Sequence, residues 1–429
     1  MTICATAEPV TVPPLRRNLR FQMLWIGMTT SSLGVSVADI AYPLAILAIT
    51  GSPARAGLFA AVQMAGSLLA GLPAGSLVDR HSPRTVLIVA NACRAGITVL
   101  VAIALIAGRL TLPLLLAAAA LLGMGAAAGG AAGMLLLRSV VPNEQLNGAL
   151  TQDQVRTNGA QLAGPALGGA LYSIRALAHA VPFLFTAGSF AVSVIAAIPL
   201  KPLPATGPAR AQAPANAKPD GQPKPDAQPK ADGGMLAGLR TLWAHPLMRP
   251  AIMLVALVNT VLAGIDLIVI VLLRHQGVPS AQIGLALGIG QAGGIVGIAL
   301  VKILHRLRPG VVLLVTCVTF GPAVLLLSVP FGPWWVAAVV FVAMLSVPAA
   351  LVALDIVVVR QASAEQRGRV VAAGMTVMTL GAPAGMIGCG LLLQYLPAQT
   401  AMLVLAAILA VGLCYCATRR ALWQAPWPS

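Results

Sequence analysis

The chain has 429 residues, 58% of them hydrophobic and only 9% charged, with a formal net charge of +16. Soluble domains carry about 25% charged residues, so this composition and a mean hydropathy of +0.90 exclude a water-soluble globule. A basic excess suits a nucleic-acid partner only when it gathers in one patch, and here it does not.

Taken in chain order, the apolar residues fall in blocks of about 20 or more, the length that crosses a hydrocarbon core of roughly 30 Å. Twelve blocks follow one another, near 22–49, 55–78, 85–107, 112–137, 149–173, 180–200, 249–273, 281–303, 310–330, 333–358, 370–395 and 398–418. The first is too long for the apolar part of a signal peptide and reads as a retained span. The expected fold is an all-α membrane protein of twelve transmembrane helices in two six-helix, pseudo-symmetric halves. Its parts are a tail (1–21), a first bundle (22–200), a linker (201–248), a second bundle (249–418) and a closing tail (419–429). Residues 201–234 are rich in Pro, Ala, Lys, Gln and Asp, a composition that cannot bury a core and predicts a disordered tether. Residues 235–248 set Leu236, Leu239, Leu242 and Trp243 on one face, predicting a short amphipathic helix along the membrane surface.

Charge placement sets the topology. With the N-terminus inside, 21 Lys and Arg residues fall on the inner side, against Arg55, Arg109, Arg175 and Arg274 on the outer. Arg94 and Arg156 fall within spans. By the positive-inside rule both termini are cytoplasmic, in a multi-pass protein of the cell membrane (the inner membrane in a bacterium). The lipid bilayer is thus the partner implied by the charge, and no nucleic acid is. The six cysteines are scattered, without zinc-site spacing or a disulfide framework.

The two halves echo each other. Asp39 stands eighteen residues before Gly57, and Asp266 eighteen before Gly284. Ser32 and Asn259 each stand seven residues before those aspartates. Asp79-Arg80 answers to His305-Arg306, Glu144-Gln145 to Glu365-Gln366, and Gly164 and Gly168 to Gly385 and Gly388.

Two motifs carry a resemblance. The turn at 75–85, with Gly75, Leu77, Asp79, Arg80 and Arg84 between two apolar blocks, resembles the signature loop of the major facilitator superfamily, G-x-L-a-D-R-x-G-R-K; it departs from it at Ser82 and Pro83. The resemblance implies parallel halves related by an axis along the membrane normal. It also implies that Asp79, in the loop with Gly75, Arg80 and Arg84, is a cytoplasmic gating latch; Asp355 and Arg360, with Glu365, Arg367 and Arg369, are expected to form an inner charge cluster that mirrors Asp79 and Arg138, as part of a cytoplasmic gate or a solvated loop. The stretch 158–169 resembles that superfamily's antiporter motif: Gly164, Pro165, Gly168 and Gly169 supply its G-P-x-x-G-G core, and Ala160 replaces its first glycine. Small residues let helices approach closely and Pro165 removes an internal hydrogen bond; in the superfamily the motif marks exporters. The runs 16–25, 50–53 and 238–246 resemble the branch that holds macrolide efflux pumps and the enterobactin exporter, and relatives of that branch include lysophospholipid flippases.

Charged and polar residues inside spans mark the candidate site. An aspartate at a helix centre costs roughly 2.5–3.5 kcal/mol on insertion scales, so Asp39 and Asp266 should face a cavity or a partner. A carboxyl withdrawn from water holds a proton more readily, which makes both candidates for proton coupling; a fixed pairing with Arg94 or Arg156 is the alternative. Gln154, Asn158 and Gln161 form one polar stripe on the fifth span. Ser32 and Ser36 lead to Asp39 on the first, and Asn259 leads to Asp266 on the seventh. With Gln63, Gln291 and Arg94 these residues are expected to line a shared cavity, because lipid offers them no hydrogen bonds. The five histidines sit in loops, and no nucleophile–base set or metal-ligand cluster stands in a span. No enzyme, cofactor or metal is expected. The expectation is a monomeric secondary transporter that exports a small amphipathic molecule, a drug or a siderophore, against protons. A lysophospholipid flippase, a small-metabolite importer, and a non-transporting receptor or membrane enzyme remain open.

Overall fold

Short breaks made of capping residues, glycine and proline cut the apolar sequence into helices. The Asn18 side chain accepts a hydrogen bond from the Phe21 N–H at 3.2 Å and so caps α1 (Leu19–Thr50). Gly51 ends that helix at φ 62°, a left-handed conformation that glycine adopts without a Cβ penalty. Ser52 then caps α2 (Pro53–Arg80), with proline at the first helical position where its missing N–H is not needed. The same proline entry opens α3 (Pro83–Ile106) and α4 (Leu112–Val140). After α5 (Leu146–Ser173) and α6 (Val181–Ala197), the second half runs as α7 (Met248–His275), α8 (Ser280–Leu304), α9 (Pro309–Leu326), α10 (Pro333–Met344), α11 (Arg367–Tyr395) and α12 (Ala398–Ala417). The computed structural model describes residues 15–200, 240, 243, 248–304, 309–329, 331–353 and 367–418. Among them there is no strand.

Eight of these helices are long and apolar enough to cross a membrane: α1, α3, α4, α7, α8, α10 continued to Ala353, α11 and α12. A ninth, α2, qualifies when its parts on either side of Pro73, bent by 49°, count as one span. α6 is only 17 residues long, and the Gln154–Asn158–Gln161 stripe makes α5 too polar for the same test. The linker and most of the expected amphipathic helix lie outside the described residues. Of that helix Trp243 is described; it is exposed, and the Arg249 guanidinium lies 5.6 Å from its ring centre.

Packing repeats with a step of six helices. α1 packs on α5 and α6, α2 on α4, and α3 on α4 and α6. Correspondingly, α7 packs on α11 and α12, α8 on α10, and α9 on α10 and α12. The two most extensive contacts between the halves are α5 on α8 and α2 on α11, and they exchange with one another under the same step; α7 also touches α1 and α2.

Both seams close on glycine, at the end of the bundle that carries the α1–α2 and α7–α8 loops. A Cβ on Gly169 would collide with the Ser280 carbonyl and lie 3.0 Å from the Gly284 Cα. On the opposite seam a Cβ on Gly57 would lie 3.1 Å from the Gly390 Cα. Ser52 Oγ donates to Gln394 Oε1 at 2.6 Å, and Arg274 Nη1 donates to the Leu44 carbonyl at 3.2 Å, at that same end. Close backbone approach is how helices gain dispersion contact where lipid tails remove the hydrophobic drive. Gly169→Val overpacks the α5–α8 seam, which costs about 1–3 kcal/mol. Its thermal midpoint in detergent should fall by several degrees, while Gly188→Ala, where the Cβ meets open space, leaves the midpoint in place. Equal midpoints for the two variants would remove the seam from the stability of the bundle.

Candidate functional site

Two cavities, of about 490 Å³ and about 460 Å³, lie between the halves and meet at Asp39, Leu262 and Asp266. Their sizes fall within the 300–1,000 Å³ usual for small-molecule sites. The first is walled by α1, α5, α7, α8 and α10, the second by α1, α2, α4, α7 and α11. Asp39 is exposed although Ser36, Val37, Ala38, Ile40, Ala41 and Tyr42 around it are all buried. A carboxylate accessible in the middle of an otherwise buried helix opens onto an interior space, and both cavities reach it.

The helix period explains which polar residues arrive there. Gln154, Asn158 and Gln161 repeat on one face of α5 and line the larger cavity with Ser36 and Gln291. Gln154 Nε2 donates to Asn158 Oδ1 at 3.0 Å, so the stripe is internally bonded. Gln63 lines the smaller cavity. Three other expected residues stand elsewhere. Asn259 lines a narrow, mostly apolar pocket with Thr316, Val258 and Leu254. Ser32 accepts a hydrogen bond from Arg156 Nη1.

Arg94 is sealed inside the first half, 7% exposed, with its guanidinium carbon 4.1 Å from the Phe190 ring centre. Its Nη1 donates to Asn91 Oδ1 at 3.4 Å, and its Nε has no hydrogen-bond partner. Arg94 acts on Asp39 through space, but forms no ion pair with it.

The buried Arg156 is fully engaged. It bridges Asp153 at 2.7 Å, donates to the Met28 carbonyl at 2.7 Å, and so ties α5 to α1. Among the described residues this is the one ion pair within 4.0 Å. The alternative of a direct Asp39 pairing with either arginine is therefore not what the structure holds.

The antiporter-motif residues pack as small residues should. Gly164 abuts Ser36, and a Cβ on Gly168 would lie 2.7 Å from the Val37 carbonyl oxygen, so α5 sits directly on the segment of α1 that carries Asp39. Pro165 lines the larger cavity. Of the expected cytoplasmic gate, Gly75, Asp79, Arg80 and Arg138 are exposed. Arg84 serves a different purpose: its Nε donates to the Ala197 carbonyl at 3.1 Å and its Nη2 to that of Ile198, completing the C-terminal end of α6. Asp355 and Arg360 lie outside the described residues.

Sequence reasoning missed the aromatic wall of the smaller cavity, Tyr42 and Phe59, whose ring centres are 4.5 Å apart. Tyr42 stands three residues after Asp39, one helical turn on, and that spacing was the available signal. Among the described residues no three His, Cys, Asp or Glu gather where they could hold a metal ion.

A family model described as Major Facilitator Superfamily matches residues 24–385. The chain belongs to the major facilitator superfamily. It is a multi-pass membrane transporter, not an enzyme. No curated protein matches it by sequence.

Solved structures agree on the fold. The nucleoside transporter NupG superposes with a TM-score of 0.73 at 12% identity, over 94% of this chain and 99% of that one. A bacterial homologue of the iron transporter ferroportin, inward-facing, gives 0.71 at 16% identity, covering 95% and 99%. A bacterial homologue of the lysosomal transporter Spinster, inward-facing and unoccupied, gives 0.70 at 16% identity, covering 97% and 99%. At these identities the likeness is one of fold. The drug and siderophore exporter branch does not emerge from these matches.

Arg156→Met removes the donor from three acceptors at once, whereas Asp153→Asn keeps the arginine on Met28 and Ser32. Hydrogen bonds to charged groups contribute about 1.5–3 kcal/mol each. The arginine variant should therefore unfold at a clearly lower temperature than the aspartate variant in detergent, and a reversed order would show that the ion pair, not the α1–α5 tie, is what matters.

Proposed function

We propose that the protein is a proton-coupled exporter of a small amphipathic molecule, drug-like or siderophore-like, working by alternating access as a monomer in the cell membrane. The observation that carries this reading is the pair Asp39 and Asp266, shared by two interior cavities and free of any ion pair among the described residues. A carboxyl in that setting exchanges a proton at low cost in structure, because no salt bridge has to break. On this reading all twelve helices cross the bilayer in two six-helix halves, with both termini cytoplasmic and the linker a tether between them. The glycine seams and the Ser52–Gln394 and Arg274–Leu44 bonds then close the outer side, and the cavities load from the cytoplasm or the inner leaflet. Asp79, exposed near the inner end of α2, is the latch that engages when the inner side shuts. The packing of Gly164 and Gly168 against α1 couples movement of α5 to the position of Asp39, which fits an antiporter.

The test uses the full chain in vesicles of known orientation, with an imposed pH gradient and a panel of amphipathic drugs, a siderophore and a lysophospholipid. Gradient-driven flux should run from the cytoplasmic face outward. Asp39→Asn or Asp266→Asn should lower that flux at least tenfold while leaving gradient-free exchange of substrate measurable. Gradient-driven flux that survives in both variants removes the aspartates from coupling, and flux in the opposite direction makes the protein an importer. Asp79→Asn should slow turnover several-fold without changing substrate affinity; a lost affinity with unchanged turnover would place Asp79 in binding instead of gating.

A further inference from the structure

The charge inside the cavities points to the class of molecule carried. Among the described residues that line them, the charged side chains are Asp39 and Asp266 alone; no Lys, Arg or His reaches either space. The two cations near enough to matter are both committed elsewhere. Arg156 is spent on Asp153, Met28 and Ser32. Arg94 is sealed behind the wall against Phe190 and Asn91, and it acts on Asp39. Arg94 stands near Asp39 and no cation acts on Asp266, so the two carboxyls leave the centre short of positive charge.

The rest of the lining suits a cation with an apolar body. Amide side chains on α5 and α8 supply carbonyl acceptors, while Leu262, Ile295 and Ile298 supply apolar surface. Tyr42 and Phe59, nearly buried with ring centres 4.5 Å apart, add apolar lining to the smaller cavity. Tyr42 is 3% exposed and its hydroxyl has no hydrogen-bond partner. The Thr98 hydroxyl near it donates to the Arg94 carbonyl at 2.8 Å and keeps its oxygen as an acceptor for Tyr42. An anion in this space would meet a carboxylate and no cation, and no backbone N–H is free in mid-helix to receive it.

We infer that the transported molecule is an amphipathic cation, a lipophilic amine or onium, with Asp266 as its main counter-ion. This rests on the reading of the central cavities as the transport route, and it narrows the substrate by excluding anionic siderophores and lysophospholipids.

Tetraphenylphosphonium and tetraphenylborate, nearly equal in shape and opposite in charge, separate charge from hydrophobicity. Equilibrium binding to the purified full-length protein should show saturable tetraphenylphosphonium binding and none for tetraphenylborate. Asp266→Asn should weaken the cation at least tenfold, Asp39→Asn should weaken it less, and Asp266→Glu should restore most of the affinity. The inference is overturned if tetraphenylborate binds as well as the cation, or if tetraphenylphosphonium does not bind saturably. It is equally overturned if Asp266→Asn, with an unchanged thermal midpoint, binds the cation like the parent. Should that variant fail to fold, the comparison of the two ions on the parent protein decides alone. Cation binding without gradient-driven flux would sink the proton-coupled export reading and leave this one standing, whereas gradient-driven export of an anion would do the reverse.

Discussion

A carboxyl group inside a bilayer-embedded bundle has to be hydrated, protonated or paired, since hydrocarbon offers it nothing. Among the described residues Asp39 and Asp266 form no ion pair, and two cavities reach them. The helices are placed to make that space. α1 and α7 carry the acids at the centre, and α5, α8, α2 and α11 stand between the halves and wall off the two cavities. α3, α6, α9 and α12 pack within their own halves. The two acids thus stand within an interior that is otherwise apolar, since one hydrophobic cluster runs through both halves around them.

Around the hollow centre the halves are held along two seams, α5 on α8 and α2 on α11, that gain contact by close approach. Gly169 meets Gly284 and Gly57 meets Gly390 with their backbones nearly touching, so dispersion contact is gained along a narrow strip. Such a strip is strong enough to define one closed end. Ser52–Gln394 and Arg274–Leu44 add hydrogen bonds at the same end.

Much of the fold could be read in the sequence, because length and hydropathy fix spans directly and caps such as Asn18, Gly51 and Ser52 mark their ends. The site was legible where one helix face carries several polar residues, as with Gln154, Asn158 and Gln161. It was illegible for single residues whose direction depends on neighbours. Ser32 and Ser36 share a stripe with Asp39, yet Ser32 turns to Arg156 while Ser36 reaches the cavity. Arg84 sat in a recognised motif, but its partners are carbonyls at the end of α6, more than a hundred residues away. Arg94 and Asp39 are both charged residues within spans, and only tertiary packing decides that they lie near each other without bonding.

The internal repeat makes the difference between the two acids informative. The spacing that carries Asp79 to His305 carries Arg94 to Phe320, a residue 1% exposed in the core of the second half. The spacing that carries Glu144 to Glu365 likewise carries Arg156 to Val377. Each buried cation of the first half is therefore answered by an apolar residue in the second. The acids repeat and their counter-charges do not. Asp39 has a fixed arginine near it, while no cation acts on Asp266. Arg94 thus makes the two acids unequal where the repeat alone would have made them alike.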